Sequence, residues 1–303
     1  MNFFLNSNSF LGSYMKKIAL IAPSSPAPDL TPETLATLRE KFASFGYQIH
    51  LGSHALDSIR YLAGTDQDRA QDVMRAFCDD SVDLVMTVRG GYGSPRLLDK
   101  LDYDLLRQNA KPFWTISDGT ALATALFTRA GITGYSGLQA LFFLNPQNKK
   151  LIQTGLAALK GHLPPIPIQK VWSGGSATGI TVGGNLTVLM GLIGTPYFPD
   201  MKGKILVLED INEYPYRVDR MLTQLRLAGV LNDIAGILLG DFSGCVSKDG
   251  ADGDIRAVFQ DFFQNSPIPV VQINYGHKNR ETVVPMGKEI RIDSVSGFVT
   301  EVK

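Results

Sequence analysis

A serine lies where an apolar strand gives way to a helix, which is the placement that a catalytic nucleophile needs. The apolar residues 113–116 are typical of a buried strand, and a helical pattern begins directly after Ser117-Asp118-Gly119. A sharp turn there presents the hydroxyl outside the sheet, and the free N–H groups of a helix N-terminus can hold an oxyanion. The turn keeps the second glycine of the G-x-S-x-G elbow, with Thr115 in place of the first. The alternative interpretation is an ordinary helix cap.

Three further motifs lie at strand ends or turns and offer the groups that a serine nucleophile requires. Residues 89–93, Arg-Gly-Gly-Tyr-Gly, follow an apolar run, and adjacent glycines can direct backbone N–H groups at an anion. Glu209 and Asp210 end an apolar strand, and His277 lies on a glycine turn after another. These supply an oxyanion hole, an acid and a base. The alternatives are a plain tight turn or phosphate loop, acids that cap a helix or pair with arginine, and a surface histidine.

The apolar pattern predicts how these motifs are positioned. Strands alternate with helices through the first half of the chain, which indicates a parallel α/β sheet with right-handed crossovers. A segment rich in Pro, Gly and Ser then interrupts the rhythm, and a second domain follows whose last residues alternate as antiparallel strands do. We therefore predict a disordered tail at 1–15, an N-terminal α/β domain at 16–150, a linker at 151–176 and a C-terminal domain at 177–303.

Composition excludes several classes of protein. The formal net charge of the 303 residues is +0, which gives no indication of a nucleic-acid partner. The two cysteines, Cys78 and Cys245, are far apart, and the four histidines form no HExxH pattern, so we expect neither a metal site nor a cofactor. No apolar run reaches the ~18 residues of a membrane span. The basic start and short apolar core at 15–23 indicate a first strand, with an export signal as the alternative.

Five motifs, in order, resemble those of the L,D-carboxypeptidase family of serine peptidases, which includes muramoyl-tetrapeptide carboxypeptidases and microcin C7 self-immunity peptidases. The resemblance extends from about residue 16 to residue 303. Two departures are Thr115, where the family has an aromatic residue or glycine, and the absence of a proline that often follows the histidine. The motifs are Arg-Gly-Gly-Tyr-Gly at 89–93, Ser-Asp-Gly-Thr at 117–120, Gly-Gly-Asn-Leu at 183–186 with 194–200, Leu-Glu-Asp at 208–210 with 216–220, and Gly-His at 276–277 with 284–287.

The resemblance implies a role for each motif. Ser117 would be the nucleophile, Glu209 the acid and His277 the base, with an oxyanion hole formed by the backbone N–H groups of Gly91, or the glycine before it, and Asp118. The family fold implies a C-terminal β-rich α/β domain, with the active site in the cleft between the two domains. No cofactor or metal is implied. The family is usually dimeric, so we expect a homodimer.

The resemblance also implies a substrate, a murein tetrapeptide that loses its terminal D-alanine. The carboxylate of that residue calls for a cation beside the leaving group. Arg89, Arg217 and Arg280 are the candidates, although each could equally form a structural ion pair. The implied compartment is the cytoplasm, where recycled cell-wall peptides are processed. An exported form would meet polymeric murein in the periplasm.

Three other functions are consistent with the same sequence. The first is immunity to peptide-nucleotide antibiotics, for which relatives use an aromatic platform beside the base. Trp114 and Trp172, the two tryptophans, are the candidates for that platform. The second is an L,D-endopeptidase activity on cross-linked murein. The third is a binding protein for murein peptides without catalysis, against which the presence of all three triad residues argues.

Overall fold

The computed structural model describes residues 15–248, 250–251 and 253–302. The predicted tail at 1–15 therefore lies, apart from Met15, outside the described residues. The first half of the chain alternates strands and helices as the apolar pattern predicts. Its elements are β1 (Lys16–Ile21), α1 (Pro32–Ser44), β2 (Tyr47–Leu51), α2 (Asp66–Cys78), β3 (Leu84–Thr87), α3 (Tyr103–Gln108), β4 (Phe113–Thr115), α4 (Gly119–Ala130), β5 (Gly134–Ser136) and α5 (Lys149–Leu159), with 3-10 turns at Ser94–Lys100, Ala140–Leu144 and Pro146–Asn148.

The second half contains more strand than helix. None of the helices in the described ranges is long and apolar enough to cross a membrane. The elements are β6 (Ile166–Ser173), β7 (Ser176–Asn185), α6 (Leu186–Met190), β8 (Ile205–Ile211), α7 (Pro215–Leu227), β9 (Gly236–Ser243), α8 (Ile255–Phe263), β10 (Val270–Ile273), β11 (Val284–Met286), β12 (Glu289–Asp293) and β13 (Phe298–Glu301).

The N-terminal sheet has the order β2-β1-β3-β4-β5-β11. Its first five strands are parallel, and β11 joins the edge antiparallel to β5. All four residues of β3 are buried because helices cover the sheet on both faces. The carboxyl ends of the parallel strands form one edge, where ligands bind in open α/β sheets.

The second domain is a closed barrel of seven strands in the order β10-β6-β13-β12-β7-β8-β9. The pairs β7-β8, β8-β9 and β9-β10 are parallel, and the last of them closes the barrel. The other pairs are antiparallel. The predicted antiparallel end of the chain is thus confirmed. Helix α7 faces the core, because Met221, Leu222 and Leu225 are buried, whereas Leu227 is exposed.

Residues 151–176 are not the linker that we predicted. They include most of α5, whose Leu151, Ile152 and Ala158 pack into the core of the N-terminal domain, and all of β6, a strand of the barrel. The chain passes from the N-terminal domain to the barrel in the proline-rich run between α5 and β6, so the crossing is much shorter than the predicted linker. The segment 177–303 also contributes one strand, β11, to the N-terminal sheet.

Candidate active site

Ser117 lies on a tight turn between β4 and α4. The strand ends at Thr115 and the helix begins at Gly119. The backbone of Ser117 has a φ of +65°, a conformation that residues other than glycine rarely adopt. The N–H of Thr120 donates to the carbonyl of Ser117 over 2.9 Å, which closes the turn. A serine held in this conformation at a strand-to-helix turn is the geometry of a nucleophile elbow.

Gly119 is required by the tightness of this turn. A Cβ at residue 119 would lie 1.8 Å from the Oγ1 of Thr115 and 2.8 Å from its Cβ. Both distances are shorter than any van der Waals contact, so a side chain there must push the strand end away from the helix start. The elbow therefore keeps only the second glycine of the motif, because the first position, Thr115, supplies the side chain that fills this space.

Replacing Gly119 by Ala should lower kcat on the order of 100-fold, because a displacement of about 1 Å at a reacting group costs that much. Steady-state kinetics, together with thermal unfolding, measures this effect. Gly191→Ala is the matched control, since Gly191 ends α6 at an ordinary φ of −66° and a Cβ there would approach only the carbonyl oxygen of Val188, at 3.3 Å. Equal kcat in the Gly119 variant and wild type would contradict a functional need for the tight turn.

The side chain of Asp118 joins the elbow to two other segments, those of Ser24 and Ser94. Its carboxylate accepts from the Oγ of Ser24 over 2.5 Å and from the N–H of Ser94 over 2.7 Å. The Oγ of Ser94 in turn donates to the carbonyl of Asp118 over 2.5 Å. Burial raises the pKa of Asp118, and these hydrogen bonds oppose the rise. The local sequence predicts a role for the N–H of Asp118 but not for its side chain, because nothing nearby marks partners so distant in the chain.

The glycine turn at 89–93 lies against the nucleophile. A Cβ at Gly90 would lie 2.9 Å from the Cβ of Ser117 and 3.1 Å from its Oγ. Gly91 has a φ of +120°, and a Cβ there would collide with Ser25. Because β3 and β4 are adjacent and parallel, the turn after β3 reaches the turn after β4. The structure thus brings both predicted donor segments, the glycine turn and the start of α4, to Ser117.

The predicted acid and base form a hydrogen-bonded pair. Glu209 is fully buried near the end of β8, and its Oε2 lies 2.5 Å from the Nδ1 of His277, which follows β10. Burial works against a charge on His277, but the hydrogen bond and the negative charge of Glu209 outweigh it and raise the pKa of His277. With Nδ1 bound to the carboxylate, Nε2 is the nitrogen left to exchange a proton with a nucleophile.

A hydrogen bond between the domains brings the histidine of this pair to the elbow. The hydroxyl of the buried Tyr275, two residues before His277, lies 2.6 Å from the Oγ of Ser136. Ser136 ends β5 directly opposite Thr115 of β4, two residues before Ser117. The histidine and the serine therefore approach the same edge of the N-terminal sheet from different domains.

The acid is brought to the same edge through β7. Asn185 lies opposite Glu209 in the parallel pair of β7 and β8. The N–H of Asn185 donates to the Oγ1 of Thr120 over 3.0 Å, and Thr120 lies in the first turn of α4, the helix that follows the elbow. Gly184 permits this approach, since a Cβ there would lie 2.5 Å from the same Oγ1. No local feature of the sequence predicts these contacts, because their partners are about 65 positions apart.

The three predicted carboxylate-binding arginines all have partners within the protein. Arg89 donates to the carbonyl of Pro26 over 3.2 Å. Arg217 pairs with Glu213 at 3.4 Å and lies over the ring of Tyr214. Arg280 is bonded within its own loop and to the N-terminal domain, as described below. Only Arg89 is part of the glycine turn that contacts the nucleophile.

Neither tryptophan provides an exposed aromatic platform. Trp114 has no exposed surface and packs on Tyr135 in the core of the first domain. Trp172 is buried against the edge of Phe259, and the Nζ of Lys170 lies 3.3 Å from the centre of its ring. Both side chains contribute to cores, so the feature that would favour antibiotic immunity is not supplied by them.

The fold and the site define a two-domain α/β peptidase. Models of the LD-carboxypeptidase N-terminal domain and C-terminal domain match residues 18–137 and 178–292. The chain belongs to the LD-carboxypeptidase family. The family resemblance that the five motifs indicate is thereby confirmed.

Relatives and solved structures match along most of the chain. A probable murein peptide carboxypeptidase from Bacillus subtilis is 34% identical, covering 91% of this chain and 88% of its own. The murein tetrapeptide carboxypeptidase of Pseudomonas aeruginosa is 32% identical, covering 90% and 91%. The structure of a muramoyltetrapeptide carboxypeptidase from Oxalobacter formigenes has a TM-score of 0.81 at 31% identity, covering 94% and 97%. The microcin C7 self-immunity protein MccF, at 21% identity, shares the fold with a TM-score of 0.84, covering 96% and 97%.

Proposed function

We propose that this protein is a serine L,D-carboxypeptidase that releases the terminal D-alanine of murein tetrapeptides. The observation that carries the proposal is the pair formed by the Nδ1 of His277 and the Oε2 of Glu209, 2.5 Å apart. The loop of His277 is tied to the sheet edge where Ser117 occupies a strained elbow. The murein substrates named for relatives at 32–34% identity support the choice of substrate. As the resemblance implies, we extend the proposal to a cytoplasmic homodimer that acts on recycled peptides.

The proposed reaction is acyl transfer in two halves. The Nε2 of His277 takes the proton of Ser117, whose Oγ attacks the carbonyl carbon of the L,D bond. Backbone N–H groups of the glycine turn and of Asp118 stabilise the oxyanion. The carbon–nitrogen bond then breaks, His277 gives its proton to the nitrogen, and D-alanine leaves. In the second half, water gives a proton to His277 and attacks the acyl carbon. The bond from that carbon to the Oγ of Ser117 breaks, His277 returns the proton to Oγ, and the shortened peptide leaves as an acid.

Glu209 has a different task in this scheme. Its buried carboxylate accepts from Nδ1, so it fixes both the ring orientation and the tautomer of His277. It also stabilises the imidazolium that forms when Ser117 loses its proton. No metal or redox group takes part in the proposed steps.

Mass spectrometry of four substrates tests the proposed function. We expect the wild-type enzyme to remove one alanine from a disaccharide-tetrapeptide and none from the matched pentapeptide, whose last bond joins two D-residues. An aminoacyl-sulfamoyl adenosine is the third substrate. Turnover of that compound without alanine release would contradict the murein assignment and favour antibiotic immunity, whereas cleavage of cross-linked tetrapeptides at a similar rate would indicate an endopeptidase.

A further inference from the structure

The loop that carries the base is fixed on its barrel side by an aspartate. We call residues 274–281 the histidine loop. Asp241, in β9, accepts from the backbone N–H groups of Lys278 and Asn279, over 3.2 and 3.1 Å. These bonds hold the residues that follow His277 on the barrel side. Several contacts with the N-terminal domain hold the other side of the loop, among them Tyr275 with Ser136 and Glu281 with Thr154.

Arg280 makes a further contact of this kind, directly with the backbone of His277. Its Nε donates to the Oδ1 of Asn148 over 2.9 Å, and its Nη1 donates to the backbone carbonyl of His277. The guanidinium lies 4.0 Å from the centre of the Phe142 ring. Asn148 is itself buried and fixed, since its Nδ2 donates to the carbonyl of Phe142 over 2.8 Å. One planar side chain therefore joins the backbone of the base to a rigid point in the other domain.

We propose that Arg280 is a positioning residue, which with Asn148 holds the backbone of His277 so that the imidazole stays aligned between Glu209 and Ser117. The inference rests on the proposed triad and replaces the expectation that Arg280 binds the substrate carboxylate. The planar fork of arginine can donate to two oxygens in fixed directions, which a lysine cannot do. Two of its nitrogens already serve oxygens of the protein.

Kinetics of single variants separate positioning from carboxylate binding. For Arg280→Met we expect kcat to fall on the order of 100-fold with KM within about twofold, as for a displaced catalytic group. Arg280→Lys keeps the cation but loses the fork, so its kcat should stay low. Asn148→Ala should lower kcat as well, although the arginine is retained. Arg291→Met is the control, because Arg291 is an exposed arginine on β12, with only a distant pairing to Asp293.

A double variant tests whether the two residues act through one contact. If they do, Arg280→Met combined with Asn148→Ala should lose little more activity than Arg280→Met alone. Fully multiplicative losses would overturn the shared role. A KM increase of tenfold or more with kcat preserved in Arg280→Met, and recovery in Arg280→Lys, would overturn positioning in favour of carboxylate binding.

The rate at which a fluorophosphonate labels Ser117 separates failure of this inference from failure of the proposed substrate. The reagent needs the activated serine but no murein peptide. Labelled wild type that releases no D-alanine would refute the substrate alone, and slower labelling of Arg280→Met and Asn148→Ala would still support positioning. Labelling at the wild-type rate in both would refute it. Should Arg280→Met fail to fold, as seen by circular dichroism, Asn148→Ala and Arg280→Lys give the same answer.

Discussion

Replacement of Ser117 by Ala is expected to abolish release of D-alanine, with a loss in kcat on the order of 10⁶, the usual cost of removing a triad nucleophile. The variant lacks only one oxygen atom. The proposed oxyanion donors are backbone groups of Asp118 and the glycine turn, and the pair of His277 and Glu209 should stay in place. We therefore expect substrate binding and thermal stability close to those of wild type. Mass spectrometry of the disaccharide-tetrapeptide provides the measurement.

The control for this variant is a serine of the same domain that is remote from the elbow. Ser44→Ala removes a hydroxyl that donates only to the carbonyl of Lys41, over 2.7 Å, at the end of α1. Its activity should equal that of wild type. Activity of Ser117→Ala above about one thousandth of wild type, too high for the uncatalysed reaction, would refute the elbow as the source of the nucleophile.

The parts of the site that could be predicted from sequence are those defined by neighbouring residues. The strand at 47–51 lies where the apolar pattern predicts it. Thr31, which precedes Pro32 and Glu33 as the cap of a helix commonly does, accepts from the N–H of Thr34. Thr65 likewise caps α2, since its hydroxyl accepts from the N–H of Asp68 and donates to the carboxylate of Asp68. Such features need information from about four consecutive residues.

The parts that could not be predicted depend on pairings across long stretches of chain. The sequence of β11 gives no sign that it will leave the barrel and pair with β5, 150 positions earlier. That pairing follows the histidine loop, so it helps decide which edge the base approaches. Asn148 and Arg280 meet for the same reason, with 132 positions between them. Local patterns assign a strand or a turn to each segment, but the free energy that selects partners comes from burial of the assembled core.

Replacement of Glu209 by Gln should lower kcat on the order of 10⁴, the loss found when the acid of a serine triad becomes an amide. The amide has nearly the shape of the carboxylate but can present its NH₂ to Nδ1. The ring would then carry its proton on Nε2, the nitrogen that must accept one from Ser117. The imidazolium would also lose its counter-charge in a buried place. The kcat at the pH plateau measures both losses.

The pH dependence gives this prediction a second readout. A general base acts only when it is unprotonated, so the acidic limb of kcat/KM follows the pKa of His277. Glu209 raises that pKa in the wild type, whereas burial lowers it. Loss of the carboxylate charge leaves burial as the stronger influence, so the pKa falls and the acidic limb should move to lower pH. A titration of kcat/KM from about pH 5 to about pH 9 covers the usual range of a histidine.

Asp210→Asn is the matched control, because it removes the same carboxylate charge one residue further along the strand. The carboxylate of Asp210 accepts from the N–H and hydroxyl of Thr187, over 2.9 and 2.8 Å, and from the side chain of Asn185. None of these donors is His277. Asp210→Asn should lower stability, shift the acidic limb less than Glu209→Gln and retain far more of kcat. Equal shifts and equal losses in the two variants would mean that total negative charge governs the histidine, and that Glu209 has no specific role in orienting it.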